Sequence, residues 1–178
     1  LSFTCQAWEP PKGGDCELCN KDDRPCSEYR CKSLGSNCEY YTPNGEPGYC
    51  VDKGNIASPK ISPWPQALTT GHKYTSVSDT GFMIEQDNNP KLQAWTPIDF
   101  GILTDIPADC KLDTNHTSDY SQMRFDMIKG AVNAEHKISL SPHIGNSSTT
   151  TPALLEGIND YYIRCQGYNG GVNKAEFN

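Results

Sequence analysis

The sequence contains no long apolar run. Its uninterrupted apolar stretches are far shorter than the roughly 18 residues that a membrane-crossing helix needs, so we expect no membrane span in this chain. Residues 1–5 also lack the basic start and the long apolar middle of a signal peptide. We therefore expect either a processed protein or a segment of a longer one.

Basic residues are scarce as well. The chain has 15 Lys and Arg against 22 Asp and Glu, which gives a net charge of −7, and its basic residues form no stripe. Nucleic-acid binding is driven by the release of counterions from phosphates, and that release needs a cluster of basic side chains. We therefore expect no nucleic-acid partner.

The sequence also lacks the common motifs of catalysis. There is no G-x-S-x-G, H-E-x-x-H or phosphate-binding loop, and the four histidines are scattered along the chain. They are His72, His116, His136 and His143. Paired carboxylates of the glycosidase type leave no sequence signature, but most acidic side chains here are expected to be solvated. The prediction is a protein that is not an enzyme and that binds no cofactor.

Cysteine, by contrast, is abundant and concentrated near the N-terminus. Of nine cysteines, seven fall within the first 50 residues: Cys5, Cys16, Cys19, Cys26, Cys31, Cys38 and Cys50. Residues 1–58 contain few aliphatic side chains, so an apolar core alone would not offset the entropy lost on folding. We therefore predict that residues 1–58 form a small disulfide-rich module. Such modules are typical of oxidising, extracellular compartments.

The pairing of these cysteines is left open by the sequence. The six that follow Cys5 allow 15 connectivities, and their spacing does not choose among them. Two close pairs, Cys16 with Cys19 and Cys26 with Cys31, are an alternative set of zinc ligands. The second pair has a wider spacing and the module contains no histidine. Structural disulfides are therefore predicted, and no metal site.

Residues 1–8 have the pattern of a β-strand. Leu1, Phe3, Cys5 and Ala7 alternate with mostly polar residues before a double proline stops the pattern. Such a strand either joins a sheet of its own chain or completes a sheet in a neighbouring copy, as a donor strand. Cys5 is the predicted unpaired or intermolecular cysteine. The alternative is that Cys5 pairs within the module and another thiol is left over.

Residues 59–178 have the pattern of an all-β domain, in which short strands alternate with turn-forming clusters of Gly, Pro, Asn and Asp. The predicted strands cover residues 74–77, 82–85, 92–102, 109–112, 137–140 and 160–166. A short helix is predicted within residues 118–127, from the helical spacing of Tyr120, Met123 and Met127. Cys110 and Cys165 lie on predicted strands that would be neighbours, so a bridge between them is expected.

Parts of this second half resemble a known family. Three segments are similar to fibronectin type III or immunoglobulin-like domains in prokaryotic surface proteins. Residues 100–112 resemble the T-D-E-P-A-x-C corner of these domains, and residues 161–173 resemble their Y-x-x-x-C-x-D-x-x-G-N-x-N strand and turn. The third segment is residues 136–140. Gly167 replaces the usual Asp and Ile106 the usual Glu. The resemblance implies a β-sandwich, a fold that hosts many functions. Residues 25–35 resemble a Cys-rich segment of large archaeal surface proteins.

Two sequons predict N-glycosylation in polar loops, at Asn115 and at Asn146, the alternative being plain polar turns. Residues 113–119 place oxygen ligands at alternate positions, as a calcium loop does. The Gly and Glu that an EF-hand requires are missing, so an EF-hand is rejected. A weak surface calcium site stays an alternative to a polar turn with a helix cap.

The three tryptophans separate two hypotheses for the function. We expect Trp95 to lie in the core and Trp64 to pack at the domain entrance, and we assign no position to Trp8. The leading hypothesis is an extracellular structural protein, a glycosylated surface or filament subunit that assembles with copies of itself through residues 1–8. The alternative is an adhesion or carbohydrate-binding module with a glycan or cell-surface partner, which requires an exposed Trp or Tyr platform.

Overall fold

The computed structural model describes residues 9, 14–21, 24–42, 48–89, 91–92, 95–116, 119–130, 134–141, 160–173 and 177. The chain divides into two compact units. Unit 1 comprises residues 1–57 and 168–171, and unit 2 comprises residues 58–167 and 172–178. The first division falls beside the predicted boundary at residue 58, whereas the grouping of the turn at 168–171 with unit 1 was not predicted. Across the described ranges, no helix has the length and apolarity to cross a bilayer.

The described residues of unit 1 form two short helices and one β-hairpin. Their bounds are α1 Leu18–Lys21, α2 Glu28–Leu34, β1 Cys38–Tyr41 and β2 Tyr49–Asp52. Helix α2 begins where Ser27, in an extended conformation, accepts the backbone N–H of Arg30 on its side chain at 3.3 Å. Serine is a favoured N-cap because its hydroxyl satisfies one of the free N–H groups of the first turn.

The core of unit 1 consists mainly of sulfur. Six buried cysteines form the disulfides Cys16–Cys38, Cys19–Cys26 and Cys31–Cys50. Among the described hydrophobic residues, Leu34 and Tyr40 alone pack against this cluster, and both are partly buried. The Cys50 sulfur lies within 4.8 Å of sulfurs from both other disulfides. Cross-links thus stand where a larger domain would have aliphatic side chains.

Unit 2 is made of antiparallel strands, so the chain is mainly β, as predicted. The strands are β3 Ile61–Pro63, β4 His72–Ser78, β5 Gly81–Gln86, β6 Ile98–Thr104, β7 Ala108–Asp113, β8 Phe125–Asp126, β9 Ile128–Lys129, β10 Glu135–Leu140 and β11 Tyr162–Gly167. One sheet has the strand order β3-β6-β10-β9 and another the order β11-β7-β8. Strands β4 and β5 form a separate hairpin.

The two sheets and the hairpin contribute to one core. Its buried members are Phe100, Ile102, Ala108, Cys110, Leu112, Met127, Ile163, Cys165 and Phe177. Alternate residues of β6, β7 and β11 supply most of them, because successive side chains of a strand point to opposite faces. Tyr74, Phe82 and Ile84 of the hairpin pack against the same cluster and are only partly buried.

The predicted helix within residues 118–127 is wrong. The described part of this segment has one 3-10 turn, Tyr120–Gln122, followed by extended chain. The extended chain pairs first with β7 through β8 and then with β10 through β9. Met127 lies between the two strands and is buried. A chain that passes from one sheet to the other therefore buries the apolar residues that suggested a helix.

The predicted strand at 92–102 begins only at Ile98, after Pro97. Proline has no N–H for a ladder and restricts the residue before it, which explains the late start. Trp95, predicted to lie in the core, is instead 66% exposed with a φ of +62°. A further strand that the sequence predicts at residues 174–177 falls mostly outside the described residues.

Candidate functional site

Cysteine pairing leaves one residue over. The three disulfides of unit 1 and the Cys110–Cys165 disulfide of unit 2 use eight of the nine cysteines. No cysteine of the same chain therefore remains to pair with Cys5. Cys5 and the other residues of the predicted donor strand, Leu1, Phe3 and Ala7, lie outside the described residues.

The Cys110–Cys165 disulfide joins two directly opposed residues of β7 and β11, whose Cα atoms are 4.1 Å apart. The peptide groups of both cysteines bond elsewhere. The Cys110 carbonyl accepts the N–H of Met127 at 2.9 Å, and the Cys165 N–H donates to the side chain of Asn173. This is a non-hydrogen-bonded pair, the position where antiparallel side chains approach most closely.

Asn173 closes the outer edge of β11. Its Oδ1 accepts the N–H of Cys165 at 2.6 Å, its backbone N–H donates to the Cys165 carbonyl at 3.2 Å, and its Nδ2 donates to the carbonyl of Ile163 at 3.2 Å. The N–H of Ile163 donates to the carbonyl of Phe177. The edge therefore offers little to another strand. Sequence reasoning missed this role, although Asn173 is the final residue of the strand-and-turn motif.

Asn20 acts in the same way in unit 1. Its side-chain amide accepts the N–H of Cys50 and donates to the carbonyl of Cys50, both at 2.8 Å. The amide thus pairs with the outward peptide group of β2 as a neighbouring strand would. No sequence signal pointed to Asn20.

The first sequon begins in a loop that Asp113 organises. Its buried carboxylate accepts the backbone N–H groups of Thr114 at 2.7 Å and Asn115 at 3.2 Å. The guanidinium of Arg124 binds the same carboxylate at 2.7 Å, and this contact, more than any other, lowers the pKa of Asp113 to about 2. The Asn115 side chain is exposed. Asn146, in the second sequon, lies outside the described residues.

The same contacts bear on the calcium alternative for residues 113–119. The Asp113 carboxylate, which would be the first ligand, is 2% exposed and paired with a cation of the protein itself. A carboxylate in this environment does not need a metal to compensate its charge. The loop is therefore built on an ion pair and on backbone hydrogen bonds.

His136 is a fully buried titratable group of unit 2. Its Nε2 lies 3.3 Å from the Thr104 hydroxyl, and its Nδ1 has no hydrogen-bond partner. Burial lowers the pKa of His136 to about 4; the charge of Asp109 acts to raise it and that of Lys129 to lower it. The ring is fully buried, so a substrate in solution has no access to it. His143 lies outside the described residues.

Several aromatic side chains are exposed. Tyr29 is 85% and Trp95 66% exposed, whereas Trp64 is half-buried and Trp8 lies outside the described residues. Trp64 packs over Gly101 of β6: a Cβ at that glycine would lie 2.7 Å from the indole. The packing of Trp64 therefore requires a glycine beneath it.

Unit 1 also has an open groove of about 480 Å³. It is lined by Glu28, Lys32, Ser36, Asn37, Cys38, Glu39, Tyr40, Lys53 and Gly54. The charges balance, because Lys32 pairs with Glu28 and Lys53 pairs with Glu39. The exposed amide of Asn37 adds a donor and an acceptor without a partner among the described residues.

Comparison with models of protein families, with curated proteins and with solved structures finds no match for this chain. The immunoglobulin-like or fibronectin-like assignment therefore stays a prediction, supported by the segments that resemble those domains and by the antiparallel sheets of unit 2.

Proposed function

We propose that the protein is a non-catalytic, extracellular structural subunit that assembles with copies of itself. The observation that carries this proposal is the leftover Cys5: eight cysteines are closed in four disulfides, and the ninth lies in the alternating segment 1–8. An isolated apolar strand gains stability by adding to a sheet. Four disulfides in a chain of this size support an oxidising compartment.

Glycosylation is part of the same proposal. The exposed side chain of Asn115 follows a loop start that is fixed by Asp113, so a glycan there would extend into solvent. Asn146 is proposed on its sequon alone. Surface glycans are compatible with assembly where they lie away from the contact between copies.

The test is the association state of the full chain, purified from an oxidising secretory host. Light scattering coupled to size exclusion should show oligomers whose mass grows with concentration, and electron microscopy should show their form. The variant with Phe3→Asp should shift the mass to that of one chain. A wild-type protein that stays monomeric at all concentrations would overturn the proposal.

A second candidate is a carbohydrate-binding module, and the exposure of Trp95 and Tyr29 favours it. Flat aromatic faces stack on sugar rings, and the charge-balanced groove of unit 1 offers paired donors and acceptors for hydroxyl groups. Calorimetric titration with neutral oligosaccharides should give saturable binding that Tyr29→Ala or Asn37→Ala, both in unit 1, weakens about tenfold. Val77→Ala, at an exposed apolar residue outside the groove, is the control. No binding across the panel would remove this candidate.

A further inference from the structure

The outer edge of strand β5 is open at Phe82 and Ile84, whereas the carbonyl of Gln86, at the end of the strand, accepts the N–H of Asn89 at 3.4 Å. The direction in which the peptide groups of β5 point follows from the hairpin register. The N–H of Asp87 donates to the carbonyl of Gly71 at 2.9 Å, so these two residues form a hydrogen-bonded pair. Hydrogen-bonded pairs alternate along an antiparallel ladder. The peptide groups of Phe82 and Ile84 therefore point away from β4. Neither has a hydrogen-bond partner among the described residues.

The other strand edges that the structure describes in unit 2 are protected against pairing with an added strand. Asn173 covers β11, and Pro63 removes an N–H from β3. Strand β4 breaks its register between Thr75 and Ser78, where Ser76 has a φ of +52°. Strands β8 and β9 have two residues each. Bulges, prolines and short strands are the usual protection of a sheet edge, and β5 has none of them in its six residues.

Beside β5, the core residues that the structure describes are only partly covered. Phe82 and Ile84 pack against the core of unit 2 and are nevertheless only partly buried. The Phe82 ring lies 6.1 Å from that of Phe100 and 5.6 Å from that of Phe177. On the opposite face, Met83 is 48% exposed. One face of a strand added along β5 would thus lie beside Phe82 and Ile84 on the core, and its other face would lie beside Met83 in solvent.

We propose that β5 is the acceptor for residues 1–8 of a second copy. This inference rests on the proposed self-assembly and assigns its contact. The segment alternates as the edge requires, because Leu1, Phe3, Cys5 and Ala7 would continue the core beside Phe82 and Ile84, while Ser2, Thr4 and Gln6 would face solvent. Its eight residues span β5 before the double proline ends the pattern.

The inference gives Cys5 a definite role. On the core-facing side of the added strand, its thiol would be buried as a small apolar group instead of forming a disulfide, and free cysteine is among the most buried residue types. Cys5 should react with an alkylating reagent in dilute monomer and resist it in the assembly. A disulfide between two Cys5 residues in the native assembly would contradict this placement.

Two full-length variants test the pairing by complementation. Ile84→Pro removes an outward N–H without removing a bond to β4, and Phe3→Asp disables the donor. Each variant alone should be monomeric, whereas an equimolar mixture should form a dimer that does not grow, since one copy supplies the donor and the other the acceptor. Glu85→Gln, on the same strand, is the matched control and should assemble as the wild type does.

Hydrogen exchange gives a measurement that does not depend on the folding of a variant. In wild-type assemblies the amides of Phe82 and Ile84 should exchange at least about tenfold more slowly than in dilute monomer, whereas those of Met83 and Glu85 are protected in both. The wild type could assemble while the exchange rates of the Phe82 and Ile84 amides stay the same and the Ile84→Pro variant still forms growing oligomers. In that case β5 is not the acceptor, and the proposed self-assembly stands. If the wild type never assembles, the proposed function itself fails.

Discussion

Asn173 bonds to both backbone groups of Cys165: its Oδ1 accepts the Cys165 N–H at 2.6 Å, and its own N–H donates to the Cys165 carbonyl at 3.2 Å. In unit 1, the side chain of Asn20 makes an equivalent pair with Cys50. In each unit a disulfide cysteine lies on an outer strand, and a carboxamide completes the hydrogen bonds that an absent neighbouring strand would make. Asn20 makes both bonds to Cys50 with its side chain, whereas Asn173 bonds Cys165 with its side chain and with its backbone N–H.

Replacement of Asn173 should therefore be costly. Asn173→Ala leaves the buried N–H of Cys165 and the carbonyl of Ile163 without the amide, and each unpaired group costs about 1 to 3 kcal/mol. We expect a loss of about 2 to 6 kcal/mol in the free energy of unfolding of unit 2, measured by urea denaturation. Asn37→Ala, at an exposed amide, is the control. A loss for Asn173→Ala within the roughly 0.5 kcal/mol of an ordinary surface substitution would contradict this role.

The strands of unit 2 were largely predictable because their alternation and turn residues are local signals. Cys110 and Cys165 were placed on neighbouring strands by the same reasoning, and their register is now seen to be direct opposition. The pairing inside unit 1 was not predictable, since which sulfur meets which depends on how α1, α2 and the hairpin pack.

The errors have physical causes. Met123 and Met127 are both buried, at a spacing that fits a helix, but the chain buries them by crossing between sheets. Trp95 is apolar and follows other apolar residues, yet Pro97 delays the strand and leaves the indole in solvent. Closure of an edge by Asn20 depends on a contact 30 residues away, which no local pattern encodes.

The disulfides of the two units should differ in importance. The double replacement Cys31→Ala and Cys50→Ala removes part of the sulfur core and should unfold unit 1, because few other apolar groups pack there. Loss of the ordered amide signals of unit 1 in a nuclear magnetic resonance spectrum is the measurement. A native-like spectrum for unit 1 would show that its core does not depend on this bridge.

Unit 2 should survive the loss of its own bridge. The double replacement Cys110→Ala and Cys165→Ala opens a loop with a sequence separation of 55, for which chain entropy gives a cost of about 4 kcal/mol. The apolar core of Phe100, Ile102 and Leu112 remains, so we expect a lower unfolding midpoint and an unchanged fold by circular dichroism. Complete unfolding at neutral pH and 25 °C would contradict this expectation.

Acid should weaken the Asp113 loop in a defined window. The folded-state pKa of Asp113 is lowered from 3.8 to about 2, so below pH 3.8 the unfolded chain takes up a proton before the folded one does. The stabilisation by Asp113 is complete above that pH and is lost as the pH falls toward 2. Urea denaturation across this range should show the loss, and Arg124→Ala should flatten it. Lys137→Ala, at an exposed cation, should leave the slope unchanged; an unchanged slope for Arg124→Ala would refute the assignment.

Protonation of His136 should lower the free energy of unfolding at a higher pH than protonation of Asp113 does. Because its folded-state pKa is lowered from 6.5 to about 4, the unfolded chain binds a proton first as the pH falls below 6.5. Stability is then complete above pH 6.5 and falls by up to about 3 kcal/mol by pH 4. His136→Leu should remove this dependence and leave the lower window of Asp113 intact. The measurement is the free energy of unfolding from pH 7 to pH 4, with His72→Leu as the matched histidine control.

Trp95 gives the sharpest contrast between the sequence-based expectation and the structure. A core tryptophan replaced by a small residue costs about 3 to 5 kcal/mol, but Trp95 is 66% exposed and has a φ of +62°, a conformation that glycine adopts without strain. Trp95→Gly relieves this backbone strain but gives the unfolded chain more freedom, so it should leave the stability of unit 2 unchanged or raise it by up to about 1 kcal/mol. Trp95→Ala, which cannot relieve the backbone strain, should be less stable than Trp95→Gly. Thermal unfolding of the two variants and the wild type decides this, and a large loss for both variants would place Trp95 in the core.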